Sequence, residues 1–305
     1  RIGTGGIGGT YYPIGGIIAS AISSPRGSRS CDEGGSCGVQ GLVAIAQTSN
    51  GSVANVEAVA TGRLDSGFVQ SDIAYWAYTG TGTFRKKKPR KTIRAIANLY
   101  PESVHVVVRK KTGVKSMWDL KGWRVSLDER KSGTLVDARL ILKAFGLRER
   151  RDLKAQYLNS ESAALRLVAG KLDAFIAVAG YPMASVQLAL EKSDAQILPL
   201  TGKPIEQLLA KYKFFNRDTI PSGVYGNAEP ISTISVNALW IVPETADEEL
   251  IYQITKAIWN EKSRKLLDEG HSKGKMIKLS TALKGVSVPL HPGAWRFYRE
   301  VNIAE

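Results

Sequence analysis

Two cysteines, three histidines and three methionines are all the soft or switchable ligands found in 305 residues. The histidines, His105, His271 and His291, stand far apart, in neither an H-x-x-x-H nor an H-E-x-x-H spacing, so no zinc-peptidase pattern is legible and each reads as structural. No Walker loop is present. The stretch GGSCG, 34–38, matches the nucleophile-elbow spacing G-x-S-x-G, but the apolar strand that should precede it is missing. No apolar run reaches 18 residues, which excludes a membrane-spanning helix. A charged-then-apolar export signal is also lacking, and a leader absent from this chain is expected. Catalytic residues, a metal and a cofactor are therefore not assigned.

The two cysteines lie close together in SCDEGGSC. The spacing of Cys31 and Cys37 fits neither a zinc nor a thioredoxin pattern, and a small disulfide loop is the better reading. It implies an oxidising compartment, whereas two free thiols would suit the cytosol. Acids are scarce relative to bases, 28 against 42, a net charge of +14. Such a balance invites a nucleic-acid reading. Its densest run, FRKKKPRKTIR at 84–94, is broken by Pro89, carries no alternating aromatics and leads into an apolar strand. It reads as a solvated loop, and nucleic acid is not taken as a partner; a diffuse positive field could still steer an anionic ligand.

What the chain does contain is an alternation of apolar runs with capped helices, the signature of βαβ units and a largely parallel sheet. Helices are expected from Thr10 to Ala21, from Ser52 to Ala60, from Ser71 onward and after Ser132, with a further helical pattern over 246–268. Strands are expected at LVAIAQ (42–47), covered on both faces, at SGFVQ (66–70), at DAFIAVA (173–179) and at ISTISVNALWIV (231–242). IRAIAN and VHVVVR (93–98 and 104–109) read as two strands joined by LYPES. One echo stands out: VEAVATGRLDSGFVQ and LRLVAGKLDAFIAVA share a helix end, G-[RK]-L-D and a buried strand, which suggests two similar lobes.

Gly3, Gly5 and Gly8 spell the dinucleotide spacing G-x-G-x-x-G, but a full preceding strand is missing. The nearest acids, Asp32 and Glu33, fall in the cysteine loop, so a nucleotide site is discounted. Polar caps recur instead at strand ends, at Thr10, Ser52, Ser71 and Ser132. Helix starts expose unpaired N–H groups, and in open α/β sheets they line a ligand crevice. With no acid–base pair or nucleophile beside them, they describe a receptor for a small anion such as a carboxylate.

GTGGIGGTYYPIGG, CGVQGLVAIAQTSNGSVANVEAV and GFVQSDIAYWAYTGTGTF resemble the TAXI family of TRAP-transporter solute-binding proteins. YPESVHVVVR, SMWDLKGWRVSL, SGT at 132–134, LDAFIAVAGYP, IPSGVYG and LHPGAWRFYRE extend the resemblance over nearly the whole chain. It implies a periplasmic-binding-protein fold of type II kind, α/β, with two lobes around a cleft. Lobe 1 would be 1–100 with 243–305 and lobe 2 would be 101–242, hinged near 99–103 and 231–243. The implied role is a periplasmic receptor, a monomer, that captures glutamate, glutamine, a dicarboxylate or a 2-oxo acid and delivers it to an ion-gradient-driven TRAP permease.

By the same resemblance the ligand contacts are Gly6, Gly9, Thr10, Tyr11, Ser52, Asn55, Gln70 and Ser71, with Ser132, Gly133, Thr134, Ala179 and Tyr181. For Tyr11 and Tyr181 core packing is the alternative role, and for Ser52 and Ser71 a pure capping role. One departure precedes S-G-T, where LDERK places Asp128, Glu129, Arg130 and Lys131 instead of small residues. Arg130 or Lys131 could pair with a distal carboxylate, favouring a dicarboxylate, or point to solvent. A transferase or lyase on the same two-lobed scaffold is the competing reading, which free thiols at Cys31 and Cys37 would support.

Overall fold

The alternating pattern folds into two α/β units, and the computed structural model describes residues 1–304. Unit 1 comprises residues 1–5, 11–100 and those from 237 onward; unit 2 comprises 6–10 and 101–236. Against the expected limits, residues 237–242 go with unit 1 and the glycine segment 6–10 goes with unit 2. The strands Ile93–Arg109 and Ile231–Pro243 carry the chain from one unit into the other.

In unit 1 the strands Ala46–Gln47, Ile2–Gly3 and Ser66–Gln70 run parallel, and Ile231–Pro243 adds antiparallel to Ser66–Gln70 through Trp240 opposite Phe68. All five residues of Ser66–Gln70 are buried, as expected for a strand covered on both faces. The helix Tyr11–Ile22 buries Ile14, Ile18 and Ile22, four residues apart on one stripe, into a core with Phe68, Ile96, Trp240 and Tyr298. In unit 2, residues 103–108 pair antiparallel with Ala174–Ala179, which runs parallel to Arg124–Ser126 and, through it, to Lys154–Gln156. Side chains alternate across this sheet. Val104, Val106, Ile176 and Val178 enter one apolar cluster and Val107, Phe175 and Ala177 the opposite one, the period of two that a strand imposes.

Several sequence expectations are corrected. IRAIAN and VHVVVR are one strand of 17 residues, not two. Pro101 lacks an N–H, yet its fixed φ is compatible with extended backbone, and the strand runs through it. Ile231–Pro243 is hydrogen-bonded beside it; Ala95 and Asn98 also bond residues 282–291, and residues 103–108 pair with Ala174–Ala179. Of LVAIAQ only Ala46–Gln47 is strand, and Val43 and Ile45 are 65% and 53% exposed, because this segment is at the sheet's margin and not between neighbours. The tail pattern breaks into Glu248–Ile258 and Glu261–Gly270, where the Asn260 side chain accepts from the Ser263 amide and starts a new helix. The helix Lys203–Lys211 and the strand Asn216–Ile220 were not expected.

Cys31 and Cys37 are disulfide-bonded, and Lys262 Nζ donates to the Cys31 and Gly35 carbonyls at 2.9 Å each, pinning the loop. Residues 85–89 of the basic run are exposed, but the run is not loose. Lys87 pairs with Glu57, Arg94 with Glu244, and Lys91 Nζ lies 4.0 Å from the Tyr78 ring centre. Among the described residues no helix is long and apolar enough to cross a membrane.

The two G-[RK]-L-D joints have the same construction. Gly62 and Gly170 end their helices at φ 70° and 72°, a left-handed conformation that glycine adopts without strain. Leu64 and Leu172 are buried anchors. The acids then bind the neighbouring strand: Arg1 Nε reaches Asp65 at 3.1 Å, and Arg124 meets Asp173 through two nitrogens at 2.7 Å each. Their surroundings differ, since the Asp65 side chain is 65% exposed and that of Asp173 only 6%. The Arg124 guanidinium, chiefly by hydrogen bonding, holds the Asp173 carboxyl below its ordinary range. Asp173→Ala is expected to cost about 2 kcal/mol, because buried donors lose a charged partner, and Asp65→Ala less than about 1 kcal/mol. A depressed carboxylate pKa stabilises at higher pH and is lost on acidification, so the Asp173→Ala difference should shrink below about pH 4. Urea denaturation of both variants at pH 7 and pH 3.5 checks this; equal costs would refute it.

Candidate functional site

Five of the residues expected to touch a ligand lie in unit 1 around the carboxyl end of Ser66–Gln70. Asn55 is fully buried, and its Nδ2 donates to the Gly3, Thr4 and Phe68 carbonyls while Oδ1 accepts from Ser49. Both ends of this amide are thus spent on holding three chain segments together. The Ser52 hydroxyl accepts from the Gln70 amide at 3.1 Å, and the residue that caps its helix is Gly51. Ser71 is likewise the first helical residue, with Gln70 as the cap, and its carbonyl accepts from Ser287. The capping role expected of Ser52 and Ser71 is therefore displaced by one residue. Tyr11 packs edge-on against Phe68, ring centres 5.6 Å apart, in the core. Gln70 is different. It is 2% exposed, and its Oε1 has no hydrogen-bond partner among the described residues.

Unit 2 holds the rest. The helix Gly133–Ala144 starts where expected: Ser132 Oγ accepts from the Leu135 amide at 3.0 Å, and Thr134 Oγ1 accepts from Val178 at 3.1 Å. Thr134 thus ties the helix start to the strand whose last residue is Ala179. Thr10 donates to the Gly180 carbonyl at 2.8 Å, and Ser185 Oγ donates to the Gly8 carbonyl at 3.0 Å, which seats residues 6–10. This explains Gly8, because a Cβ there would lie 2.1 Å from Ser185 Oγ; at Gly3 it would meet Leu64 and Asn55. Two of the three glycines of the dinucleotide-like spacing, Gly3 and Gly8, are thus required by internal packing. A Cβ at Gly6 would meet open space, and Gly9 closes a turn onto the Gly6 carbonyl.

Two features were missed in the sequence. A hydrogen-bonded chain supports the Tyr181 segment: Met183 N–H donates to Tyr225 Oη at 2.8 Å, and Tyr225 Oη lies 3.0 Å from His105 Nε2. His105 Nδ1 lies 2.9 Å from the Ser103 carbonyl, so Nδ1 carries the proton and Nε2 accepts from Tyr225. Ser103 in turn donates to Asp218 at 2.6 Å. Burial, and then the Asp218 charge, raise the Tyr181 hydroxyl above its ordinary pKa. IPSGVYG, which supplies Tyr225, matched as a motif without any signal of this contact.

The second is the state of Asp128, which the sequence marks only as a departure ahead of S-G-T. This residue adopts φ 73°, unusual for a non-glycine residue, and its carboxyl accepts from the Glu129 amide at 2.7 Å. Burial pushes this carboxyl up to about 7, opposed by hydrogen bonds that include the Thr134 and Ser132 hydroxyls. An acid therefore stands at the helix start where a ligand anion was expected. Arg130 lies with its guanidinium 4.9 Å from the Tyr157 ring centre.

The family model described as the NMT1-like family matches residues 2–301. This chain belongs to that family. Among solved structures, the NMT1-like chain is similar to a protein of Bordetella bronchiseptica RB50, with a TM-score of 0.55 and 18% identity over 99% of this chain and 81% of that one. That likeness is one of fold. An ancestral arginine-binding protein bound to arginine matches at TM-score 0.49 and 16% identity, covering 90% of this chain and 97% of that one. The alkanesulfonate-binding protein SsuA from Xanthomonas axonopodis pv. citri, bound to MOPS, matches at 0.45 and 17%, covering 84% and 72%. Among the described residues of the NMT1-like chain, no cluster of three His, Cys, Asp or Glu side chains is arranged to hold a metal.

Asp128 yields a pH prediction. Its folded pKa near 7 exceeds the ordinary carboxyl value, so folding disfavours the ionised form. Stability should then fall as pH rises from about 4 to about 7, since the folded state binds more protons. Asp128→Asn, which keeps an oxygen for the Glu129 amide, is expected to be more stable than the parent at pH 8 and equal to it near pH 4. Urea denaturation at the two values checks this, and a pH-independent difference would refute it.

Proposed function

We propose that this NMT1-like protein is an extracytoplasmic solute receptor of the TAXI type, which binds a small carboxylate and hands it to an ion-gradient-driven TRAP permease. The observation that carries the reading is Gln70: a buried amide oxygen with no partner among the described residues, at the carboxyl end of a central strand. Ligands of open α/β sheets bind at such strand ends, and an unmet acceptor there calls for a donor from outside the protein. In unit 2 the start of Gly133–Ala144 supports a carboxylate, because the first amides of a helix lack intrahelical partners. The Cys31–Cys37 disulfide supports an oxidising compartment, the periplasm. The receptor acts as a monomer, without a cofactor.

Asp128 sharpens the ligand class. Within unit 2 the Asp128 carboxyl is an acceptor, which suits an ammonium, while the neighbouring helix start suits a carboxylate. An α-amino acid carries both groups. A dicarboxylate or a 2-oxo acid would bring a second acceptor toward Asp128, and Arg130 stacks on Tyr157. Of the expected contacts, Gly6, Gly9, Thr10, Ser132, Gly133, Thr134, Ala179 and Tyr181 remain proposed in unit 2, and Gln70 in unit 1. Asn55 and Ser52 act by positioning backbone.

A thermal-shift panel of amino acids, their 2-oxo counterparts and dicarboxylates tests this. A specific amino acid should raise the Tm while its 2-oxo counterpart does not, following the linkage of binding to stability. Thr134→Val should weaken that binding on the order of tenfold, with Thr134→Ser close to the parent. No shift anywhere in the panel, or conversion of the bound acid into a product, would overturn the receptor reading.

A further inference from the structure

Unit 2 carries a surplus of positive charge along one stretch of chain. Residues 139–154 hold six lysines and arginines against two acids. Both acids are already engaged. Glu149 is held by Arg139 at 2.7 and 2.9 Å, and Asp152 by Arg151 at 2.8 and 2.9 Å. Lys143, Arg148, Arg150 and Lys154 are exposed and have no acid partner among the described residues. The stretch is nonetheless ordered, since Asp152 Oδ2 accepts from the Arg148 amide at 2.8 Å and closes the turn Glu149–Asp152.

Where this stretch leaves the helix Gly133–Ala144, a groove of about 440 Å³ opens, wholly within unit 2. Leu142 and Leu147, both buried, form its floor, and the exposed Lys143 and Arg148 stand at its edge. Trp118, 53% exposed, packs edge-on against Phe145 with ring centres 4.8 Å apart, and Phe145 adjoins Gly146 of the groove in the chain. Tryptophan and arginine are enriched where proteins meet. Cations without counter-charge fit a surface of opposite sign.

We propose that this groove docks an acidic segment of a partner protein, one that carries carboxylates on both sides of a single apolar side chain. The apolar side chain covers Leu142 and Leu147, and the carboxylates pair with Lys143 and Arg148 at the edge, where both charges keep much of their hydration. The apolar floor favours a peptide over a phosphate surface. Nucleic acid or anionic lipid headgroups would meet the same cations but leave the leucines uncovered. The site is independent of the carboxylate contacts, and it does not rest on the amino-acid reading.

The probe is the peptide Asp-Glu-Leu-Glu-Asp with blocked ends, titrated calorimetrically into the intact protein at low salt. Binding should be saturable and weaken about tenfold when the four acids are replaced by their amides. It should weaken about fivefold when the leucine is replaced by glycine. In the protein, Lys143→Gln with Arg148→Gln should weaken binding about tenfold. The same loss of charge in unit 1, by Arg85→Gln with Lys86→Gln, should leave it unchanged; all four positions are exposed, so both double variants keep the fold. No saturable binding, a glycine peptide that binds as well as the leucine peptide, or equal losses in the two double variants would each overturn the proposal. So would tighter binding of a DNA duplex, or of vesicles containing phosphatidylglycerol, that depends on Lys143 and Arg148, because the edge would then belong to phosphates.

Discussion

A polar atom taken out of water must find a partner inside the protein, and much of the framework of both units follows from meeting that demand. Asn55 meets it by joining Gly3, Thr4 and Phe68, so that one side-chain amide fixes Ile2–Gly3 against Ser66–Gln70. Ser52 meets it through the Gln70 amide and Thr134 through Val178, each tying a helix start to a strand. Leaving such a group unpaired costs about 1–3 kcal/mol. Against this background the unpaired Gln70 Oε1 stands out, a buried acceptor at the carboxyl end of a central strand with no partner among the described residues.

Charge illustrates how little a global balance says about a local site. The chain is strongly basic, yet several of its lysines and arginines are engaged with acids and rings at the surface: Lys87 with Glu57, Arg94 with Glu244, Lys91 over Tyr78. At the helix start in unit 2 the charged group is an acid, Asp128, raised toward neutrality by burial. A diffuse positive field can bring an anion near, but recognition at contact distance is set by the nearest carboxyl and amide groups.

The duplicated joint G-[RK]-L-D shows the same motif put to unequal use. In both copies a left-handed glycine ends a helix, a leucine enters the core and an acid binds the neighbouring strand. The acid of one copy is in solvent and that of the other is enclosed. Sequence similarity identifies the joint, whereas burial decides its energetic weight.

Elements set by local chemistry could be read from the chain alone. Ser66–Gln70 is a five-residue buried run, the helix from Tyr11 carries its stripe at a period of four, and Ser132 caps the turn that follows it, all within a few residues of sequence. The close cysteine pair belongs here too. Elements set by neighbours could not. Pro101 looks like a break, but its fixed φ fits extended backbone and one strand of 17 residues runs through it. LVAIAQ looks enclosed, but the sheet ends beside it. Ser52 and Ser71 look like caps, but which residue first turns helical, and what else each hydroxyl can reach, depends on a strand from elsewhere in the chain. The sequence by itself thus determined the helices and strands whose pattern is local, and where small or polar residues sit. Only the tertiary structure decided which polar atoms are spent internally and which remain for a ligand, because hydrogen-bond partners distant in sequence are chosen by packing.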